Sequence, residues 1–154
     1  MSASSKSPSP PKWIESFNPE VAQGFLNTND KMTGLPNFLG VRFVDFSPGR
    51  VLAEMEVKPD LLTPFGNMHG GVLSALCDHV LGCVCYPHMK PGQWAATMEF
   101  KLNLLAPVSK GTVSAEARLL SMTRSTAVVQ ISIENEGRAV CAAQGSVLIR
   151  DAKN

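Results

Sequence analysis

The chain has 154 residues and a mass of 16.5 kDa, with 44% hydrophobic and 18% charged residues, which is the size and balance of one globular domain and too short for two. Fourteen Lys and Arg against thirteen Asp and Glu leave a net charge of +1. That excludes the broad field of a nucleic-acid or membrane-surface binder, so any polyanion must be met by a few local groups. Cys77, Cys83, Cys85 and Cys141 form no C-x-x-C pair and read as reduced core thiols of a cytoplasmic protein. No run of about 18 consecutive apolar residues offers a membrane span.

Residues 1–12, MSASSKSPSPPK, read as a disordered tail. They lack the apolar stretch of a secretory signal, and their Ser and Lys without acid or Arg also suit an organellar transit peptide. Residues 13–37 form an N-terminal helical segment in which Asn18-Pro19-Glu20 supplies a cap, a first-turn proline and an early acid for a helix running to about Leu26.

Residues 38–150 carry the main domain. Val41, Phe43, Val51, Ala53, Met55 and Val57 alternate across Ser47-Pro48-Gly49, which predicts a hairpin. A turn-rich loop, Pro59 to Met68, leads to one long helix from Gly70 to Tyr86, stopped by Pro87. Four strand-like runs follow, Trp94–Leu105, Thr112–Ser121, Ser125–Glu134 and Arg138–Ile149, and their short connections predict a four-stranded antiparallel meander. The fold class is α+β, with about six antiparallel strands and one central helix.

At 100° per residue the apolar side of that helix comprises Leu73, Leu76, Cys77, Val80, Leu81 and Val84. The opposite side holds Ser74, Ala75, Asp78, Gly82 and Cys85, small where a solvated face would carry Lys and Glu, so something packs there. Asp78 is the sole carboxylate of the helix. Covered, it is desolvated, its pKa rises and it becomes a candidate base or nucleophile; uncovered, it is a solvated aspartate. Ahead of the helix, Gly70 and Gly71 permit unusual backbone angles and leave amide N–H groups at its positive end, able to polarise a carbonyl. His69 alone reads first as a hydrogen-bonded loop histidine. Eight residues at about 1.5 Å rise put Gly70 and Asp78 roughly 12 Å apart. An oxyanion donor and a nucleophile each need a place about 3 Å from one carbonyl. If both act on one substrate, Gly70 of one chain and Asp78 of another must meet across a two-fold dimer.

These residues resemble the hotdog-fold acyl-CoA thioesterases of the phenylacetic-acid-degradation type. The segment LLTPFGNMHGGVLSALCDHVLG carries the resemblance, with HGG followed by Asp78, and the likeness extends through TMEFKLNLLAP to QGSVLI. It implies a sheet wrapped around the helix, dimers or tetramers, and hydrolysis of an acyl-CoA. It assigns Gly70, behind His69, to the thioester carbonyl, Asp78 to activating water or attacking directly, and Thr97 to positioning the water. Where that family usually carries Asn or Gln seven residues before the first glycine, this chain has Thr63, whose hydroxyl reaches less far than an amide; Asn67 is the nearby substitute.

For the phosphates of coenzyme A, Arg124-Ser125-Thr126 offers a guanidinium, two hydroxyls and backbone amides at a turn resembling the place where related enzymes hold them. Gly71, Asn67, Phe65 and Gly82 are the remaining substrate-side candidates, Phe65, Met68 and Leu81 are candidate acyl lining, and the helix after Asn18 is placed to close one end. No zinc spacing, glycine-rich phosphate loop or dinucleotide fingerprint occurs, so no metal or cofactor beyond the coenzyme A of the substrate is expected. The rival readings are a hotdog enoyl-CoA hydratase and a non-catalytic acyl-CoA binding module.

Overall fold

A computed structural model describes residues 11–152. The expected tail lies outside them except for its last two positions, and Lys12 already opens a short 3-10 turn, Lys12–Ser16. Helix α1 spans Pro19–Leu26, capped as expected by Asn18 Oδ1, which accepts from the N–H groups of Glu20 and Val21 at 2.9 and 3.3 Å. A six-residue helix, α2 (Gly34–Leu39), ends on Gly40 in the left-handed conformation. Strands β1 (Arg42–Ser47) and β2 (Arg50–Glu56) form the expected hairpin. Helix α3 covers Gly70–Cys83, three residues shorter than its sequence pattern suggests. The ring of Pro87 would collide with the carbonyl four residues earlier, that of Cys83, so the chain leaves the α-helix there and passes into a 3-10 turn at Tyr86–His88.

Strands β3 (Trp94–Leu104), β4 (Thr112–Met122), β5 (Thr126–Asn135) and β6 (Arg138–Arg150) complete one antiparallel sheet in the order β1-β2-β4-β5-β6-β3. The four-stranded meander is therefore not what forms. β4, β5 and β6 are consecutive neighbours, whereas β3 pairs with β6 at the far edge and β4 lies beside β2. The turns at 123–125 and 136–137 are tight enough to force neighbours, but the connection from Leu105 to Gly111 is not. Three strand spacings come to about 14 Å, within reach of seven residues. That connection is pinned as it crosses the end of the sheet, by Val108 in the core and by the Leu105 N–H donating to the Val140 carbonyl at 2.8 Å.

The sheet wraps α3, which touches β2 through β6. Leu76, Cys77, Val80 and Leu81 are fully buried against its inner face, as the helical pattern predicts; Cys85, expected on the small outer face, is buried as well. The 19-residue stretch Gly70–His88 has a mean hydropathy of 1.2, apolar enough by composition to cross a membrane, but half of it is buried inside the fold and its apolar stripe is the core contact. All four cysteines are free and buried.

His88 is the buried polar side chain of the described core. Its Nε2 accepts from the Gly49 N–H at 2.9 Å, so Nδ1 carries the proton and donates to the Trp13 carbonyl at 2.8 Å. Gly49 has φ +72°, and a β-carbon there would lie 2.5 Å from the Trp13 ring. One imidazole thus ties the N-terminal turn, the β1–β2 hairpin and the end of α3 together. Burial lowers its pKa from the usual 6.5, against the opposing pull of the Trp13 carbonyl. The unfolded chain then takes up the proton at higher pH than the folded one. The stabilisation is complete above pH 6.5 and is lost as pH falls toward the depressed value. His88→Ala is expected to cost about 2 kcal/mol by stranding a buried donor and acceptor, read as a lower urea midpoint at pH 7.5. The wild-type midpoint should fall more steeply than the variant's between pH 7 and pH 5.

Candidate active site

The loop from Pro59 to Met68 delivers His69 to the start of α3. The His69 N–H donates to the Leu61 carbonyl at 2.9 Å and the Met68 N–H to that of Val108 at 2.6 Å. His69 Nδ1 then accepts from the Gly71 N–H at 2.9 Å, which makes His69 the helix cap and leaves the ring proton of the neutral imidazole on Nε2. The Gly70 N–H, first in the helix, donates to no group among the described residues. Neither glycine has a positive φ, so unusual backbone angles are not what they supply. They supply room: a β-carbon at Gly70 would lie 2.7 Å from Leu104 Cδ1, and one at Gly71 3.1 Å from His69 Nδ1. The free amide opens on a pocket of about 270 Å3 lined by Asn67, Met68, Gly70 and the chain from Leu104 to Val108.

Asp78 stands on the outer side of α3, exposed, in a second pocket of about 180 Å3 with Leu35, Pro36, Leu39, Ala75 and His79. The His79 ring stacks on Phe43 at 5.4 Å, and burial lowers its pKa against the nearby Asp78 charge. Within one chain Gly70 and Asp78 line separate pockets, as the helical rise requires. The small strip is covered in part: Ala75 faces α2, and a β-carbon on Gly82 would reach to 4.0 Å from that of Ala95.

The remaining candidates divide. The Thr63 hydroxyl accepts from the Phe65 N–H at 3.3 Å and so serves its own loop, which closes where the Thr63 N–H donates to the Asn67 carbonyl at 2.7 Å. Asn67, not Thr63, puts an amide at the Gly70 pocket. Phe65 is 91% exposed. Leu81 is fully buried and belongs to the core, so it does not line a pocket. Thr97 is exposed on β3 beside a register shift, outside both pockets. At the β4–β5 turn, Thr123 Oγ1 accepts from the N–H groups of Ser125 and Thr126 at 3.3 and 3.1 Å and pairs with the Thr126 hydroxyl at 2.9 Å, so the groups left for an anion are the exposed Arg124 guanidinium and the Ser125 hydroxyl. This turn joins β6 at Ile149, whereas Leu104 beside Gly70 pairs with Cys141. Eight strand residues, about 26 Å, lie between.

Sequence reasoning missed α2 and with it Leu35 and Pro36 beside Asp78. Pro36 in the first turn and Gly40 just past the end were its readable signals. It is α2, and not α1, that reaches the pocket; α1 packs Phe25 against Phe43, Phe46 and Tyr86. Among the described residues no three His, Cys, Asp or Glu side chains gather into a metal-binding group.

Residues 65–142 match the thioesterase superfamily. A 1,4-dihydroxy-2-naphthoyl-CoA hydrolase of Listeria monocytogenes is 27% identical over 118 residues, 76% of this chain and 96% of the relative. The crystal structure of thioesterase HI1161 from Haemophilus influenzae superposes with a TM-score of 0.79 at 25% identity, covering 84% of this chain and 92% of that one. A hypothetical thioesterase of Streptococcus pneumoniae solved with coenzyme A gives 0.67 at 25% identity over 74% and 88%. The PaaI protein of the E. coli phenylacetic acid degradation operon shares the fold at a TM-score of 0.77 and 20% identity over 87% and 96%. With half its length matched and HGG and Asp78 inside the matched span, the chain belongs to the thioesterase superfamily, in the hotdog fold.

Proposed function

We propose that the protein hydrolyses acyl-coenzyme A thioesters as a dimer or a tetramer of two dimers, each site joining Gly70 of one subunit to Asp78 of its partner. The observation that carries this reading is the uncommitted Gly70 N–H at the positive end of α3, on the same helix as an exposed acid too far away to share its carbonyl. The Gly70 N–H donates to the developing oxyanion. The carboxylate of Asp78 then either deprotonates a water that adds to the carbonyl carbon, or adds itself and forms an anhydride that water opens. In both cases the C–S bond breaks, coenzyme A leaves as the thiol and the acyl group as the acid. Thr97 holds the water, and no cofactor beyond the substrate's own coenzyme A takes part.

The sheet edges support the pairing. The edge of β1 is occupied by Asn29, whose Nδ2 donates to the Phe43 carbonyl at 2.9 Å and whose Oδ1 accepts from the Phe43 N–H at 2.7 Å. β3 pairs on one side alone among the described residues and exposes Met98 and Leu104. An open apolar edge invites a second strand. Antiparallel pairing of β3 with its copy would set the start of one β3, with the Arg124 turn behind it, beside the end of the other, where Gly70 lies. The coenzyme A bound by the Streptococcus pneumoniae neighbour supports the substrate class. The binding-module reading is kept alive by Thr63, whose hydroxyl is committed to its own loop and leaves only Asn67 to supply an amide.

In a DTNB thiol-release assay over aromatic and short to long aliphatic acyl-CoAs, Asp78→Asn should lower kcat by about 100-fold or more while leaving coenzyme A binding intact; undiminished turnover rejects the assigned role. Arg124→Ala should raise KM for coenzyme A esters and leave pantetheine thioesters little changed. Equal effects on both would remove the phosphate contact.

A further inference from the structure

Among the described residues Asp78 is the one charged group in the wall of its pocket, and the rest of that wall is apolar apart from the imidazole of His79. Leu39, buried, fastens the end of α2 to the core, and Leu35 and Pro36 lean over Ala75 and Asp78. Yet Leu35 is 57% and Phe38 62% exposed, two large apolar side chains uncovered on a helix of six residues. Leu35 lies beside the acid and Phe38 follows three residues on along the same helix, which makes the acyl part of the substrate the occupant that would cover them. Among the described residues no Lys or Arg lines the cavity. A second carboxylate entering here would meet the Asp78 charge with no counter-ion and lose its hydration.

Resting on the thioesterase reading above, we propose that α2 is the acyl-selecting wall of the site: Leu35 and Phe38 bind an uncharged, apolar acyl group, and the pocket rejects dicarboxylic acyl groups.

Hydrolysis of octanoyl-, acetyl- and glutaryl-CoA by the full chain tests this. Wild type should favour octanoyl- over glutaryl-CoA by at least about 100-fold in kcat/KM, and Leu35→Ala and Phe38→Ala should each lower the octanoyl-to-acetyl ratio about tenfold. Leu35→Arg should shift preference toward glutaryl-CoA. Ratios unchanged within about twofold, or a wild type that prefers glutaryl-CoA, overturn the proposal, while loss of all three activities in Asp78→Asn leaves the thioesterase reading standing. If wild type hydrolyses none of the three and no aromatic acyl-CoA either, the thioesterase reading falls, and calorimetry decides the wall separately. Octanoyl-CoA binding more tightly than coenzyme A, with that advantage lost in Leu35→Ala, upholds it; no advantage overturns it.

Discussion

Leu73, Leu76, Val80 and Leu81 press α3 into the inner side of the sheet, and that contact sets the rotation of the helix about its own axis. Each such side chain contributes about 1.5–3 kcal/mol by leaving water. Turning the helix by one position would expose several of them, a large share of the roughly 5–15 kcal/mol that holds a domain together. Ala75, Asp78 and Gly82 are therefore carried outward by the same packing that buries their neighbours. The position of the acid follows from the core.

The N-terminus of α3 is held with equal economy by different means. The loop before it is pinned to Leu61 and Val108 by backbone hydrogen bonds, and His69 consumes the second amide of the helix. What remains is a single N–H without a partner among the described residues, that of Gly70, at the wall of a pocket. Capping thus selects one donor out of several. A side chain at Gly70 would have to displace Leu104, so the absence of a β-carbon and the direction of the amide belong to one arrangement.

Much of this was legible in the chain itself, because the strongest signals are local. The cap at Asn18, the Pro48-Gly49 turn and the helical stripe from Leu73 to Val84 each depend on spacing within a few residues, and each formed. The partner of β3 was not legible: a seven-residue connection permits a neighbour or a distant strand equally, and the choice is made by its hydrogen bonds to Met68 and Val140, from elsewhere in the chain. Helix α2 is too short for a periodicity, so only its punctuation at Pro36 and Gly40 announced it. At the site, the separation of Gly70 from Asp78 could be read from helical rise alone. The engagement of the Thr63 hydroxyl and of the amides after Arg124 could not, since it depends on how each loop closes on itself.

Burial of the four thiols has a chemical consequence for a protein of this superfamily. Burial pushes the thiols of Cys83 and Cys85 up to about 12, so at neutral pH they stay protonated, and Cys77 and Cys141 lie against each other inside the core. Thiol exchange and oxidation require an accessible thiolate. The proposed hydrolysis, which would release a thiol beside this surface, therefore meets no accessible cysteine of the described residues that could trap its product as a mixed disulfide.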